Sequence, residues 1–385
     1  MNKQNDVQVD VRKVVCDFGS LYRAMRMCSR NVKWKDSVAG YLNNGLANCL
    51  RLQKSLEEGT YKIDDYVCFK IYEPKERDIV STRFKDRVFQ RSLCDNYFYD
   101  AMTRGFIQGN CACQNGKGTD YAMHLLVVYM QKHFRKHGLN GMVLKLDITN
   151  YFGSTPHTVA KSAVEGRIDN AWVRDRVEEV IDSFRQGENP EIGMGLGSPI
   201  TQIVQLAVPD DIDHIIKEKY HIKGYIRYND DFILIDADKE LLKTCREEIK
   251  NTLAARGLQL SEKKTKLFPL KQGICFLGFR FRLTETGKVI KTLRKENIAD
   301  ERRKLRKLVG LAKEGKITKA KCDECYTSWK AHAKRGNTHK LILEMDQYYK
   351  ELWRENNVQT QNGAAAAERR TQTRGCTSGE SGGTG

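Results

Sequence analysis

YNDDFILI, residues 228–235, sets Asp230 and Asp231 directly in front of a run of four apolar residues. An unpaired carboxylate at the buried edge of a strand is costly. The pair is therefore either the polar tip of a surface turn or the holder of something strongly positive. Extended to GYIRYNDDFILID, residues 224–236, the stretch resolves into two short strands joined at Asn229-Asp230, residue types that tolerate the left-handed backbone of a tight hairpin. Consecutive strand residues point to opposite faces. A turn instead lets Asp230 and Asp231 project together, with Tyr225, Ile226, Ile233 and Ile235 anchoring its flanks.

A third acid stands upstream. MVLKLDI, residues 142–148, places Met142, Leu144, Leu146 and Ile148 on one face and Val143, Lys145 and Asp147 on the other, so Asp147 ends a half-buried strand. Pairing the two strand systems side by side brings Asp147, Asp230 and Asp231 into one small volume, where three bare negative charges repel. Divalent cations remove that cost. Two hard ions such as Mg²⁺, about 4 Å apart, activate an attacking oxygen and steady a leaving one in phosphoryl transfer.

The bulk properties suit that chemistry. Across 385 residues, 66 Lys and Arg against 49 Asp and Glu give a net charge of +17, which favours a polyanionic partner such as nucleic acid. No apolar run approaches the roughly 20 residues of a membrane span, so no membrane partner is expected. The opening MNKQNDVQVDVRK has no apolar core behind a basic start, which points to the cytoplasm and to reduced cysteines. Cys322 and Cys325 form a lone CxxC whose distance from His332 and His339 does not suit a zinc finger; thiols in a helical segment are the expectation.

Helical periodicity over residues 18–58 predicts two helices, and GENPEIGMGLGSP, residues 187–199, breaks a later helical pattern before Ser198-Pro199 opens another, which Pro209 should end or kink. GICFLGFRF, residues 273–281, predicts a strand. The basic stretch from Lys291, with RRKLRKL at 302–308, predicts a separate helical domain, and a last helix is expected over about 337–353. The class is α+β. The end, from about residue 357, lacks apolar periodicity and is expected to be disordered.

KLDITNYF, GMGLGSPITQ, YNDD, LSEKKT and FLGF occur in the order and rough spacing of the palm motifs of reverse transcriptases. Over about residues 20–350 the chain resembles bacterial reverse transcriptases. The resemblance implies a right-hand polymerase: an N-terminal helical extension over 1–59, interleaved fingers and palm over 60–282, a basic helical thumb over 283–356 and a tail over 357–385. It implies a metal triad of Asp147, Asp230 and Asp231 with the Ile148 carbonyl as a further ligand, two Mg²⁺ or Mn²⁺ ions, and Phe152 as a steric gate against the ribose 2′-OH. Lys75 and Arg77 would clamp the incoming triphosphate, Lys264 would protonate the departing pyrophosphate, and Phe276, Leu277 and Gly278 would support the primer end. Lys85, Arg87 and Lys117, with Arg302, Arg303, Lys304, Arg306 and Lys307 of the thumb, would meet nucleic-acid backbone. Without the resemblance, most of these cations read as a solvated basic face, Asp230-Asp231 as a polar turn and Phe152 as a core aromatic.

Leu196-Gly197-Ser198-Pro199-Ile200-Thr201-Gln202 reads LGxxxTQ. Most retroviral, retron and group II intron enzymes carry QGxxxSP there, whereas those of diversity-generating retroelements carry an aliphatic residue, then Gly, and end in SQ. The chain sides with the second type, with Thr for Ser as a departure. A missing glutamine amide removes a polar contact beside the nascent base pair, which implies error-prone copying. The following segment departs from that type at Val204, Gln205, Leu206 and Pro209, whereas SWKAHAKRGNTHK, residues 328–340, resembles its C-terminal block. The partners implied are template RNA, primer and cDNA, dNTPs, and a small basic accessory protein. A role in phage defence or a retron-like system, a maturase-like RNA-binding scaffold and an RNA-templated RNA polymerase stand as alternatives.

Overall fold

The computed structural model describes residues 10–72, 76–184 and 189–354, with the backbone alone at 77 and 78. Two compact units divide between Gln272 and Gly273. Helices α1 (Val11–Cys16), α2 (Phe18–Cys28), α3 (Asp36–Asn43) and α4 (Gly45–Glu57) open the first. Three helices rather than two therefore cover residues 18–58, because the chain turns over 29–35 and again at Asn44. The Asp17 carboxylate starts α2 by accepting the Ser20 N–H at 3.0 Å. Glycine at position 45 lets α4 come close: a Cβ there would lie 3.1 Å from Met25 Sδ. Strands β1 (Val67–Ile71) and β2 (Arg77–Ser81) then pair antiparallel, followed by α5 (Phe84–Leu93), α6 (Tyr99–Thr103) and α7 (Thr119–His137).

The part of the fold that positions the acids is a four-stranded sheet. After β3 (Met142–Asp147) come α8 (Tyr151–Ser154), α9 (His157–Glu165), α10 (Ala171–Ser183), α11 (Pro199–Ala207) and α12 (Asp210–His214). The hairpin β4 (Gly224–Tyr228) and β5 (Asp231–Asp236), helix α13 (Lys239–Ala254) and β6 (Lys266–Pro269) complete the unit. The strand order is β4-β5-β3-β6, antiparallel throughout. β3 is thus internal, and Leu144, Leu146, Phe232 and Leu234 are fully buried in one core. Ser198 caps α11, accepting the Thr201 N–H at 3.3 Å, with Pro199 in the first turn as its sequence predicts.

The second unit begins with an antiparallel sheet of β7 (Ile274–Phe276), β8 (Phe279–Leu283) and β9 (Val289–Leu293). What the sequence suggests is one strand over 273–281 is a hairpin that reverses at Leu277-Gly278. Helices α14 (Lys295–Lys313), α15 (Lys319–Ala333) and α16 (residues 339–354) follow, packing Leu305, Val309, Cys322, Tyr326, Met345 and Tyr349 together. The α+β class with antiparallel sheets is the expected one. The expected tail lies outside the described residues. Among the described residues every cysteine is a free thiol, and no helix is long and apolar enough to cross a membrane.

Candidate active site

The turn at Asn229-Asp230 is a two-residue hairpin, since Tyr228 pairs with Asp231. Asn229 takes the left-handed conformation, with φ of 54°, which asparagine tolerates better than most residues. Asp231 lies opposite Tyr228 on one side and opposite Asp147 on the other. The Ile148 N–H donates to the Asp230 carbonyl at 3.1 Å, continuing the ladder into the turn. Directly opposed residues of antiparallel strands share a face, so Asp147 and Asp231 stand side by side with Asp230 next to them in the turn.

Two lysines meet these acids. Lys145, two residues before Asp147 and therefore on its face, donates to Asp231 Oδ2 at 2.9 Å. Lys264 Nζ donates to Asp147 Oδ1 at 2.6 Å, from a turn whose Ser261 N–H bonds the Asp147 carbonyl at 2.8 Å. Burial pushes the Asp231 carboxyl up to about 6; the Lys145 ammonium pulls the other way, and the charges of Asp147 and Asp230 add to the rise. Its Oδ1 is buried and meets no hydrogen-bond donor among the described residues.

The donor set fits hard divalent cations: three carboxylates, oxygen only, one with a buried oxygen that has no partner among the described residues. As they stand, two of the acids face ammonium groups. Among the described residues no group of three or more His, Cys, Asp or Glu side chains is gathered around one point as metal ligands would be. The lysines neutralise charge that an ion would otherwise balance.

A cleft of about 840 Å³ opens here, lined among others by Ile148, Phe152, Leu196, Gln202, Asp230 and Lys264. Phe152 stands edge-on to Tyr151, ring centroids 5.8 Å apart, and its carbonyl accepts the Met194 N–H at 2.6 Å. Gln202 Nε2 donates to the Leu196 carbonyl at 3.2 Å, so the helix and the loop before it form one wall. Gly197 lets that loop reach β2: a Cβ there would lie 3.1 Å from both Ser81 Cα and the Val80 carbonyl oxygen.

Of the other residues singled out by sequence, several have protein partners. Lys75 and the side chain of Arg77 are outside the described residues. Lys85 donates to Asp64 Oδ1 at 2.5 Å, and Arg87 to the Thr82 carbonyl at 3.0 Å. Lys117 donates to the carbonyls of Asn110 at 2.8 Å and Ile107 at 3.2 Å, and burial lowers its pKa. Phe276, Leu277 and Gly278 belong to the second unit, where the turn carbonyl of Gly278 accepts from Asn297 Nδ2 at 3.2 Å and His332 packs on Phe279. Arg302, Arg303, Lys304, Arg306 and Lys307 are exposed on α14, around the buried ridge of Glu301, Leu305 and Val309; Arg303 pairs with Asp300 and Arg306 reaches Tyr348 at 3.3 Å.

Sequence reasoning missed two partnerships around the acids. The period-2 face already contained Lys145. Arg227, a charge inside the apolar run GYIRY, signals a buried partner without naming it; the partner is Asp213, and both side chains are fully buried.

Residues 75–281 match the family described as "Reverse transcriptase (RNA-dependent DNA polymerase)", a span of more than half the chain. The chain belongs to the reverse transcriptase family. No curated protein matches it. Among solved structures it is similar to apo telomerase from Candida Tropicalis, with 14% identity over 60% of this chain and 49% of that one and a TM-score of 0.44. It is also similar to telomerase from Candida albicans in complex with a TWJ fragment of telomeric RNA, with 10% identity over 83% of this chain and 65% of that one and a TM-score of 0.47. The chain thus spans from about half to just under two thirds of the length of these proteins. Reverse transcriptases as a family work with divalent metal ions.

Proposed function

We propose that this protein extends a DNA strand on an RNA template, with Asp147, Asp230 and Asp231 holding two divalent ions. The observation that carries this is the strand register: Asp147 opposite Asp231, with Asp230 in the adjoining turn, beside a cleft lined by Phe152, Leu196 and Gln202. Bound divalent ions supply a more nucleophilic primer oxygen and a steadied leaving oxygen. Phe152 excludes the ribose 2′-OH, and Gln202 with Leu196 frames the incoming base. Lys264, now on Asp147, carries a proton that it donates toward the departing pyrophosphate. Lys75 and Arg77 hold the triphosphate; Ile148 offers its carbonyl to an ion. Residues 60–282 serve as fingers and palm and 283–356 as thumb, whose exposed cations follow the duplex backbone in a salt-sensitive, sequence-independent way.

Primer extension on an RNA template with Mg²⁺ and dNTPs tests the proposal. The wild type extends, and Asp230→Ala lowers the rate by about 10³-fold or more while keeping RNA affinity. Equal extension by the variant would refute the assignment.

A narrower reading is supported by Leu196 lining the cleft: a bacterial, error-prone enzyme of the diversity-generating type, working with a structured template RNA and a small basic accessory protein. Leu196→Gln supplies a hydrogen-bonding amide and lowers the cDNA error rate. An unchanged error spectrum on sequencing removes that reading.

A further inference from the structure

Helix α11 is stopped by Pro209, which has no N–H to return to the Gln205 carbonyl four residues earlier. The last-turn carbonyls therefore need other donors, in a place where Gln205, Leu206 and Ala207 are all buried and an unmet carbonyl is costly. Side chains from elsewhere supply them. Tyr151 OH donates to the Gln205 carbonyl at 2.6 Å, Arg227 Nη2 to the Leu206 carbonyl at 2.8 Å, and Arg256 Nη1 to the Val208 carbonyl at 2.5 Å.

Tyr151 lines the cleft, and Arg227, fully buried, stands just behind the acidic turn. Tyr151 precedes Phe152. Arg227 lies one residue before the Tyr228–Asp231 turn and holds it directly, Nη1 donating to the Asn229 carbonyl at 3.2 Å. Its guanidinium is fixed by a bidentate pair on Asp213, Nε to Oδ1 at 2.7 Å and Nη2 to Oδ2 at 2.6 Å, with Tyr225 OH also on Oδ1 at 2.5 Å. Its backbone is clamped to residues 109–111, N–H to the Gly109 carbonyl at 2.8 Å and carbonyl to the Cys111 N–H at 2.9 Å. A fully buried ion pair is a poor route to stability, because both charges lose water. Held in a fixed fork, it is a good route to one geometry.

We infer that the C-terminal end of α11 is a positioning hub, at which Arg227 and Tyr151 fix the acidic turn and the Phe152 gate to one pair of adjacent carbonyls. The spacing between the acids and the gate is then set by this helix end, and the same helix carries Gln202 at the cleft wall. Arg227, Asp213 and Tyr151 act through the groups they hold, as positioning residues. The inference rests on the polymerase reading above.

The test uses the full chain, a primed RNA template, Mg²⁺, and dNTPs or rNTPs in separate reactions. Arg227→Lys keeps the charge and loses the fork; its kcat for dNTP addition falls about 10²-fold with KM within about threefold, and its Mg²⁺ requirement rises. Tyr151→Phe removes one hydroxyl and raises the ratio of rNTP to dNTP incorporation about tenfold. The hub is overturned if both variants keep wild-type ratios and Mg²⁺ requirement, or if Arg227→Lys loses activity only in proportion to its loss of folded protein while Tyr151→Phe keeps the wild-type ratio. Wild-type protein that extends no primer, or Asp230→Ala that extends equally, overturns the polymerase reading itself and is seen before either variant is compared.

Discussion

Two hairpins in this chain reverse through two residues, the first of each in the left-handed region, and they store unfavourable energy in different ways. In the β4–β5 turn Asn229 has φ of 54°, a conformation its side chain tolerates. In the β7–β8 turn Leu277 has φ of 46° and Gly278 φ of 87°. The glycine suits its position, but the left-handed backbone costs the leucine roughly 1–2 kcal/mol. Its surroundings hold it: Phe276 and Phe279 are buried on either side, Asn297 ties the Gly278 carbonyl, and His332 packs on Phe279 with ring centroids 5.0 Å apart. The first turn has an easy backbone and difficult charges, since the half-buried Asp231 carboxyl is raised to about 6 by desolvation beside two further acids. One turn is strained electrostatically and the other sterically. Strain of either kind persists where the surrounding structure over-determines it, and such positions cluster at functional sites.

The largest effect that would break this contrast is at Asp231. A carboxyl whose folded pKa lies above its ordinary value costs stability in the ionised form; that cost is absent in acid, sets in as pH rises through the aspartate range and is complete above about pH 6. Asp231→Asn therefore abolishes primer extension while raising stability by about 1–3 kcal/mol at pH 8 in chelator. Denaturant melts would contradict the electrostatic account if the variant were less stable than the wild type. Next comes Gly278→Ala, which forces a side chain into a backbone with φ of 87°. It should destabilise the second unit by about 1 kcal/mol and weaken extension from a primer end. The smallest effect is Leu277→Asn, which puts a tolerant residue at the strained position and should stabilise by up to about 1 kcal/mol. A loss of stability there would show that the leucine side chain earns its place by packing.

The same two turns show what was legible in the sequence. Asn229-Asp230 announced a reversal because both are turn residues, and the period-2 pattern of 142–148 put Asp147 on a defined face at the end of a strand; that β3 lies beside β5 with Asp147 opposite Asp231 is visible only in the sheet register. Leu277-Gly278 announced nothing: leucine is a strand residue, and only tertiary packing turns the chain there. Pro209 marked the end of α11, but not that its freed carbonyls are taken by Tyr151 and Arg227, whose sequence distances from Gln205 and Leu206 are 54 and 21. Lys264 entered through family resemblance, and its contact with Asp147 across 117 residues is visible only in three dimensions. The break between α3 and α4 at Asn44 was hidden because apolar periodicity runs through it.

The central claim is that the acids around the β4–β5 turn bind divalent ions in place of their lysine partners. Mn²⁺ titration followed by electron paramagnetic resonance, on wild-type protein and Asp231→Asn with a primed RNA template and a dNTP present, tests it most directly. The account predicts uptake of about two Mn²⁺ by the wild type, with at least one lost or weakened by about 10²-fold in the variant. Equal stoichiometry and affinity in both proteins would contradict it.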